Sequence, residues 1–269
     1  MTEQTKRKYD LLLEQLGQYS DLAIAFSGGT DSTLLLKAAQ TAPVKKLLAV
    51  TVSSESSTAR ELELARQFCH DEGIEFQMIK VEQLKISGFA GNPPDRCYIC
   101  KKSIFRAIMQ TADEHGIRNI AEGTNADDVN DYRPGAKAIE ELGIASPLRD
   151  SGLTKSEIRE ISKELGLPTW DKPATPCLAT RIPTGETITT EKLRMIEQSE
   201  QLLTGLGFRQ MRVRMHGDDL ARIEVAPDDF DKLLSLSDRV TKQLKEIGFR
   251  YVSMDLGGYR MGNMNKIDS

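Results

Sequence analysis

Leu22-Ala23-Ile24-Ala25-Phe26-Ser27-Gly28-Gly29-Thr30-Asp31-Ser32-Thr33-Leu34-Leu35-Leu36 is the stretch whose reading decides the fold. Five apolar residues have strand length, two glycines interrupt them, and the leucine-rich run that follows reads as helix. A strand that turns through small residues straight into a helix aims backbone N–H groups and the positive helix end at one point. Such a point binds phosphate. The spacing is not G-x-x-x-x-G-K-[ST], so the loop itself carries no lysine poised over β- and γ-phosphates and is no Walker loop.

Outward from this stretch, strands and helices alternate. A helix with Tyr9, Leu12, Leu13 and Leu16 on one face is expected over 3–16, followed by a strand over 22–26 and a helix over 31–40. Further strands are expected over 46–52, 74–80 and 119–121, with helices over 57–71 and 95–114. Strands that alternate with helices predict a parallel sheet. Helices over 136–142 and 154–165 lead into a stretch punctuated by Pro168, Pro173, Pro176 and Pro183, a rigid connection and an expected domain boundary. Beyond it the expected order is helix 190–206, paired strands 210–215 and 221–225, helices 230–236 and 239–247, and strand 250–256. Leu206-Gly207-Phe208-Arg209 and Ile247-Gly248-Phe249-Arg250 each close a helix with glycine and open a strand, a weak internal repeat. The reading is an α/β domain over 1–185 with a smaller C-terminal α+β domain over 186–269.

The 269 residues carry 28% charged and 39% hydrophobic residues, which is globular composition with enough apolar material for a sizeable core. No apolar run has membrane-spanning length and no signal-peptide core follows Met1, so the expected location is the cytoplasm, with no membrane partner. The net charge of −4 argues against a nucleic-acid partner. With no export signal, the four cysteines speak for thiol or metal chemistry rather than disulfides.

Cys97-x-x-Cys100 stands near the start of an expected helix, where positions three apart share a face and the helix end favours thiolates. Cys177 lies in the Pro-rich loop, and both segments can reach the carboxyl edge of the sheet, where nucleotide sites of open α/β folds lie. Three thiolates there suit a [4Fe–4S] cluster with one open iron or a zinc ion with a fourth ligand from elsewhere. Cys69 sits in the body of an amphipathic helix and reads as core. His70, His115 and His216 show no ligand spacing and read as surface residues.

The polar loop over 122–135 follows a buried-looking strand. It contains Gly123, Thr124 and Asn125, the carboxylates Asp127, Asp128 and Asp131 as candidates for Mg²⁺, and Arg133 as a phosphate partner. In the C-terminal part Arg212 and Arg214 alternate along a strand, so both side chains leave one face and can clamp a phosphate monoester. Arg181 and Glu200 are further substrate-binding candidates.

The form S-G-G-x-D-S at Ser27 to Ser32 resembles the pyrophosphate loop of the PP-loop ATP pyrophosphatases, Rossmann-like enzymes that cut ATP between its α- and β-phosphates. Taken in order with Gly123-Thr124-Asn125, Asp131-Tyr132-Arg133-Pro134-Gly135, Cys177 to Arg181, Arg212-Val213-Arg214 and Asp255 to Arg260, the chain resembles the LarE family over nearly its full length. The resemblance implies an ATP-dependent sulfurtransferase that adenylylates the carboxylates of pyridinium-3,5-biscarboxylic acid mononucleotide. It converts them to thiocarboxylates for the nickel-pincer nucleotide of lactate racemase. It also implies that Ser27, Gly28, Gly29, Asp31 and Ser32 hold ATP with Mg²⁺, that Cys177 handles sulfur, that Arg212 and Arg214 meet the substrate phosphate, and that the chain is a homo-oligomer. Single-cysteine members have an aromatic residue where Cys97 stands. Cys97, Cys100 and Cys177 together resemble the three-cysteine branch, which implies a [4Fe–4S] cluster fed by sulfide or another sulfur donor.

Three other readings share parts of this pattern. A PP-loop tRNA thiolase would want a basic surface, an NAD synthetase would use ammonia and need no cysteine trio, and a nucleotide sensor with structural zinc would release no AMP.

Overall fold

The computed structural model describes residues 1–130, 134–173 and 176–260, without the side chains of 129, 130 and 134. It divides into two compact units: residues 1–82 with 95–174, and residues 83–94 with 175 onward.

The first unit is built on four parallel strands: β1 (Asp21–Ala25), β2 (Lys46–Ser53), β3 (Glu75–Lys80) and β4 (Ile120–Ala121), in the spatial order β3-β2-β1-β4. Alternation along the strands sorts the core into two layers. Leu22, Ile24 and Ala49 pack on one side with Leu12 and Leu16 of α1 (Glu3–Leu16), Leu34 to Leu36 of α2 (Thr30–Thr41), and Ala65 and Cys69 of α3 (Ala59–Asp71). Ala23, Leu48 and Val50 face the other side, against Phe105 and Ile108 of α4 (Arg96–Glu114) and Ile139 of α5 (Pro134–Glu141). Covered on both faces, β1 has to be a continuous apolar run, which is how it reads. Two more helices, α6 (Pro147–Asp150) and α7 (Lys155–Glu164), complete this unit. The sequence pattern anticipates α7 but not the four-residue α6.

In the second unit α8 (Thr190–Gly205) precedes β5 (Met211–His216) and β6 (Leu220–Val225), then α9 (Phe230–Ser235), α10 (Ser237–Ile247) and β7 (Tyr251–Met254). β5 and β6 are antiparallel, β6 and β7 parallel, in the order β5-β6-β7. The internal repeat has a physical basis: after α8 and after α10, a buried Phe returns its amide to the carbonyl five residues back, Phe208 to Leu203 and Phe249 to Leu244, each at 3.1 Å.

Composition predicts a division at 185/186, whereas the packing divides the chain at 174/175 and gives residues 83–94 to the second unit. Asn92 explains the difference. Fully buried, it donates from Nδ2 to the carbonyls of Ile182 (3.2 Å) and Pro183 (2.7 Å), and its own carbonyl accepts from Gly185 N (2.8 Å). Among the described residues no helix is long and apolar enough to cross a membrane.

Candidate active site

In the first unit β1 delivers the chain to the carboxyl edge of the sheet, and Ser27-Gly28-Gly29 turns it into α2. Gly28 has φ +65°, and a Cβ there would stand 3.3 Å from Ala65 Cβ of α3, so both conformation and space favour glycine. Gly29 is the N-cap of α2 and has no side-chain capping bond. Ser27 Oγ lies 3.0 Å from Ser32 Oγ, which in turn donates to Gly29 O at 3.3 Å. The start of α2 and these hydroxyls therefore stand together at one turn, and a helix start of this kind is suited to phosphate oxygens.

The loop after β4 packs against this turn. A Cβ on Gly123 would stand 3.1 Å from Ser32 N and 3.4 Å from the carbonyl carbon of Asp31, so only glycine lets the two backbones pass without one giving way. Glu122, buried at the strand end, accepts from Thr124 N (3.0 Å) and Ser146 Oγ (2.8 Å) and fixes the loop's departure. Asn125 is buried; its side chain accepts from Asp127 N (3.0 Å) and its amide donates to Asp128 Oδ2 (3.1 Å). Asp131 and Arg133 lie outside the described residues.

Asp31 is the charged centre of this loop. Its Oδ2 accepts from Lys155 Nζ at 2.7 Å, while its Oδ1 is buried and has no hydrogen-bond partner among the described residues. Burial holds this carboxyl above its ordinary value. The charge and hydrogen bond of Lys155 oppose that rise, and Asp128 adds to it. A carboxylate with one oxygen unpartnered at a phosphate-binding loop has the chemistry of a divalent-cation ligand, and Asp31 could hold Mg²⁺ in this way. Two lysines that the sequence reading missed stand at the loop. Besides Lys155, Lys172 donates to Gly28 O at 2.9 Å and lies 3.8 Å from Glu61. They are separated from their partners by 124 and 144 residues, so no local motif announces them.

Cys97 and Cys100 lie in the first turns of α4, Cys97 exposed and Cys100 buried at 9%. That stretch is held to α5 by Tyr98 Oη and Lys102 Nζ, each donating to Glu141 Oε2 at 2.7 Å. Cys69 is core as expected, and burial pushes its thiol up to about 12. Among the described residues no cysteine is in a disulfide, and no three His, Cys, Asp or Glu are grouped so that they could hold a metal ion.

In the second unit the Cys177 turn is pinned from behind. The carbonyl of Cys177 accepts from Thr180 N (2.9 Å), Thr180 Oγ1 (2.8 Å) and Arg181 Nη1 (3.2 Å), while the residue itself stays exposed. Arg181, 0% exposed, also bonds Pro176 O at 2.7 Å and grips both oxygens of Glu200 at 2.9 Å. Glu200 Oε1 accepts as well from Val213 N of β5. As placed, Arg181 and Glu200 brace the Cys177 turn through a bidentate pair whose arginine is fully buried.

Arg212 and Arg214 do leave one face of β5, opposite Glu224 and Arg222 of β6. Arg214 donates through Nε and Nη2 to the fully buried Glu224 Oε2 (3.0 and 2.9 Å) and through Nη1 to Thr180 O (3.1 Å). Arg222 reaches Glu224 Oε1 at 3.1 Å and Asp255 at 3.3 Å. Arg212 stacks over the Tyr259 ring at 5.0 Å, and burial together with neighbouring Arg181 lowers its guanidinium from the ordinary arginine value. Arg214 and Arg222 thus share the carboxylate of Glu224, with Arg212 on the same strand face as Arg214.

His70 is a surface residue as expected, with a side chain 82% exposed. His216 departs from that expectation. Its Nε2 is buried without a hydrogen-bond partner among the described residues, and burial followed by Arg222 lowers its pKa.

A family model described as queuosine biosynthesis protein QueC matches residues 22–92, the segment that contains the phosphate-binding loop. An uncharacterised protein of Synechocystis sp. is 38% identical over 97% of this chain and 97% of its own length. Pyridinium-3,5-bisthiocarboxylic acid mononucleotide synthase of Lactiplantibacillus plantarum is 36% identical over 94% of this chain and 92% of its own. An uncharacterised protein of Methanocaldococcus jannaschii is 32% identical, covering 89% and 90%. A match of this length takes in both units, the glycine turn of the first and the pinned Cys177 turn of the second, and the chain belongs to the LarE family of ATP-dependent sulfurtransferases.

Proposed function

We propose that this enzyme acts in the cytoplasm as a homo-oligomer on pyridinium-3,5-biscarboxylic acid mononucleotide, making the thiocarboxylates of the nickel-pincer nucleotide. The observation that carries the reading is the near full-length likeness to the L. plantarum synthase, whose name states the bisthiocarboxylate product. The chemistry follows from the groups on hand. A carboxylate oxygen is a poor leaving group, and transfer of AMP makes a mixed anhydride from which AMP departs when sulfur attacks the carbonyl carbon. The amides of Ser27 to Ser32 receive the pyrophosphate as charge develops on it, and Mg²⁺ held by Asp31 would supply added neutralisation. Gly123, Thr124 and Asn125 bound the nucleotide on its second side, and Arg133 belongs to the same proposal. Arg212 and Arg214 receive the substrate phosphate, with Arg181 and Glu200 setting the turn beside them.

The finer part of the proposal concerns sulfur. Cys97, Cys100 and Cys177 are assigned as ligands of a [4Fe–4S] cluster, supported by donor chemistry: thiols one turn apart on α4 and an exposed third on a fixed turn. When bound, such a cluster supplies a site for sulfide from an external donor. Protein prepared without oxygen should contain iron and acid-labile sulfide and should turn over repeatedly with sulfide. Colourless, zinc-loaded protein would remove the cluster. Replacing any of the three cysteines with Ala should stop sulfur transfer and spare ATP binding. Absence of AMP and pyrophosphate release with the biscarboxylate would remove the substrate assignment itself. Light scattering after gel filtration tests the oligomer.

A further inference from the structure

The lysine on Asp31 stands in an odd place. Lys155 is the first residue of α7, whose start is fixed by a capping box between Thr154 and Glu157 and by Lys155 N donating to Asp127 Oδ2 at 2.8 Å. A cation in the first turn of a helix opposes the helix dipole, so Lys155 is not there for the sake of α7. Its ammonium instead reaches 2.7 Å to Asp31 Oδ2, and both side chains keep partial exposure, 30% and 25%. The other oxygen of Asp31 is buried and unpartnered among the described residues, and Arg159 of α7 adds a second positive charge to its surroundings. A pyrophosphate loop without its own lysine thus has one supplied by a helix 124 residues further on, with a fixed backbone and a four-carbon tether.

We propose that Lys155 is an exchange residue: it occupies the cation position on Asp31 while the loop is empty, yields it to the divalent cation, and then pairs with the pyrophosphate. Asp31 keeps a positive partner throughout, and the loop acquires on demand the positive charge that it does not carry itself. The inference rests on Asp31 serving the nucleotide's cation and on nothing about the sulfur acceptor.

Mn²⁺ followed by electron paramagnetic resonance, with inorganic pyrophosphate as the second probe, tests it in the full-length protein. In Lys155→Met, Mn²⁺ alone should bind about two- to fivefold more tightly, as one competing ammonium is gone. Pyrophosphate with Mn²⁺ should bind about tenfold more weakly, the worth of one charge-assisted hydrogen bond. Lys155→Gln should behave the same way and Lys155→Arg should restore both values, with cooperative melting certifying each fold. In the unaltered protein, acylation of Lys155 mapped by mass spectrometry should rise with Mn²⁺ alone and fall when pyrophosphate is added. If either affinity change is missing in folded Lys155→Met and Lys155→Gln, or if acylation of Lys155 ignores both probes, the exchange is overturned. None of these measurements uses the pyridinium nucleotide or a sulfur donor, so failure of the sulfurtransfer reading leaves them standing.

Discussion

The two units handle charge in opposite ways. At the pyrophosphate loop Asp31 and Lys155 meet at a partly exposed contact with one carboxylate oxygen left over. Around the Cys177 turn, Arg181 has lost all exposure and spends its guanidinium on a carboxylate and three backbone and hydroxyl oxygens. A contact kept partly wet and incompletely satisfied can change partners at little cost. A saturated one on a fully buried guanidinium cannot, because breaking it strands the arginine's charge out of reach of water. The first suits binding and release, the second the holding of a cysteine in one place.

The sharpest way to break this contrast is to remove a partner from each side. Glu200→Ala should cost about 3–5 kcal/mol in urea unfolding by stranding Arg181. Lys155→Ala should cost within about 1 kcal/mol, as expected of a partly exposed pair. Comparable losses would erase the distinction. Next in size is Gly123→Ala, whose Cβ would press on Ser32 N at 3.1 Å. It should cost about 1–3 kcal/mol and weaken ATP binding measured by calorimetry, whereas unchanged affinity would show that the loop can move aside.

Two smaller effects separate the units by pH. The Asp31 carboxyl is raised on folding, so its ionisation costs stability, and that cost appears as pH rises through the raised value. Asp31→Asn should therefore melt higher than the unaltered chain at pH 7 while losing divalent cation binding. The gain should vanish below the ordinary carboxyl value of 3.8. His216 has the opposite sign. Its pKa is lowered by burial and Arg222, with Arg214 adding to that and Glu186 and Glu224 opposing it. Its contribution is present above the ordinary 6.5 and is lost as pH falls through the lowered value. His216→Gln should flatten that slope in thermal melts between pH 7 and 5, and an unaltered slope would place the titrating group elsewhere.

What the sequence made legible was local. The run from Leu22 to Leu36 announces strand, turn and helix because burial on both faces demands a continuous apolar strand and phosphate binding demands small residues. Arg212 and Arg214 announce a shared face because strand periodicity is fixed. Lys155, Lys172 and Asn92 stayed silent, since each does its work on partners some 90 or more residues away and nothing in the intervening spacing encodes that meeting. Arg181 and Glu200 were visible as candidates, but charge alone does not announce that they grip each other.

The dependence of residues 83–94 on residues beyond 175 carries a consequence for synthesis. As the nascent chain emerges, Phe89 and Asn92 appear long before Ile182 and Pro183, and at ordinary elongation rates the wait is on the order of ten seconds. Throughout that interval the Asn92 side chain lacks the carbonyls of Ile182 and Pro183 to which it donates. Ribosome stalling or heavy overexpression should therefore be punished at this loop first, and a fragment stopped at 174 would display it permanently.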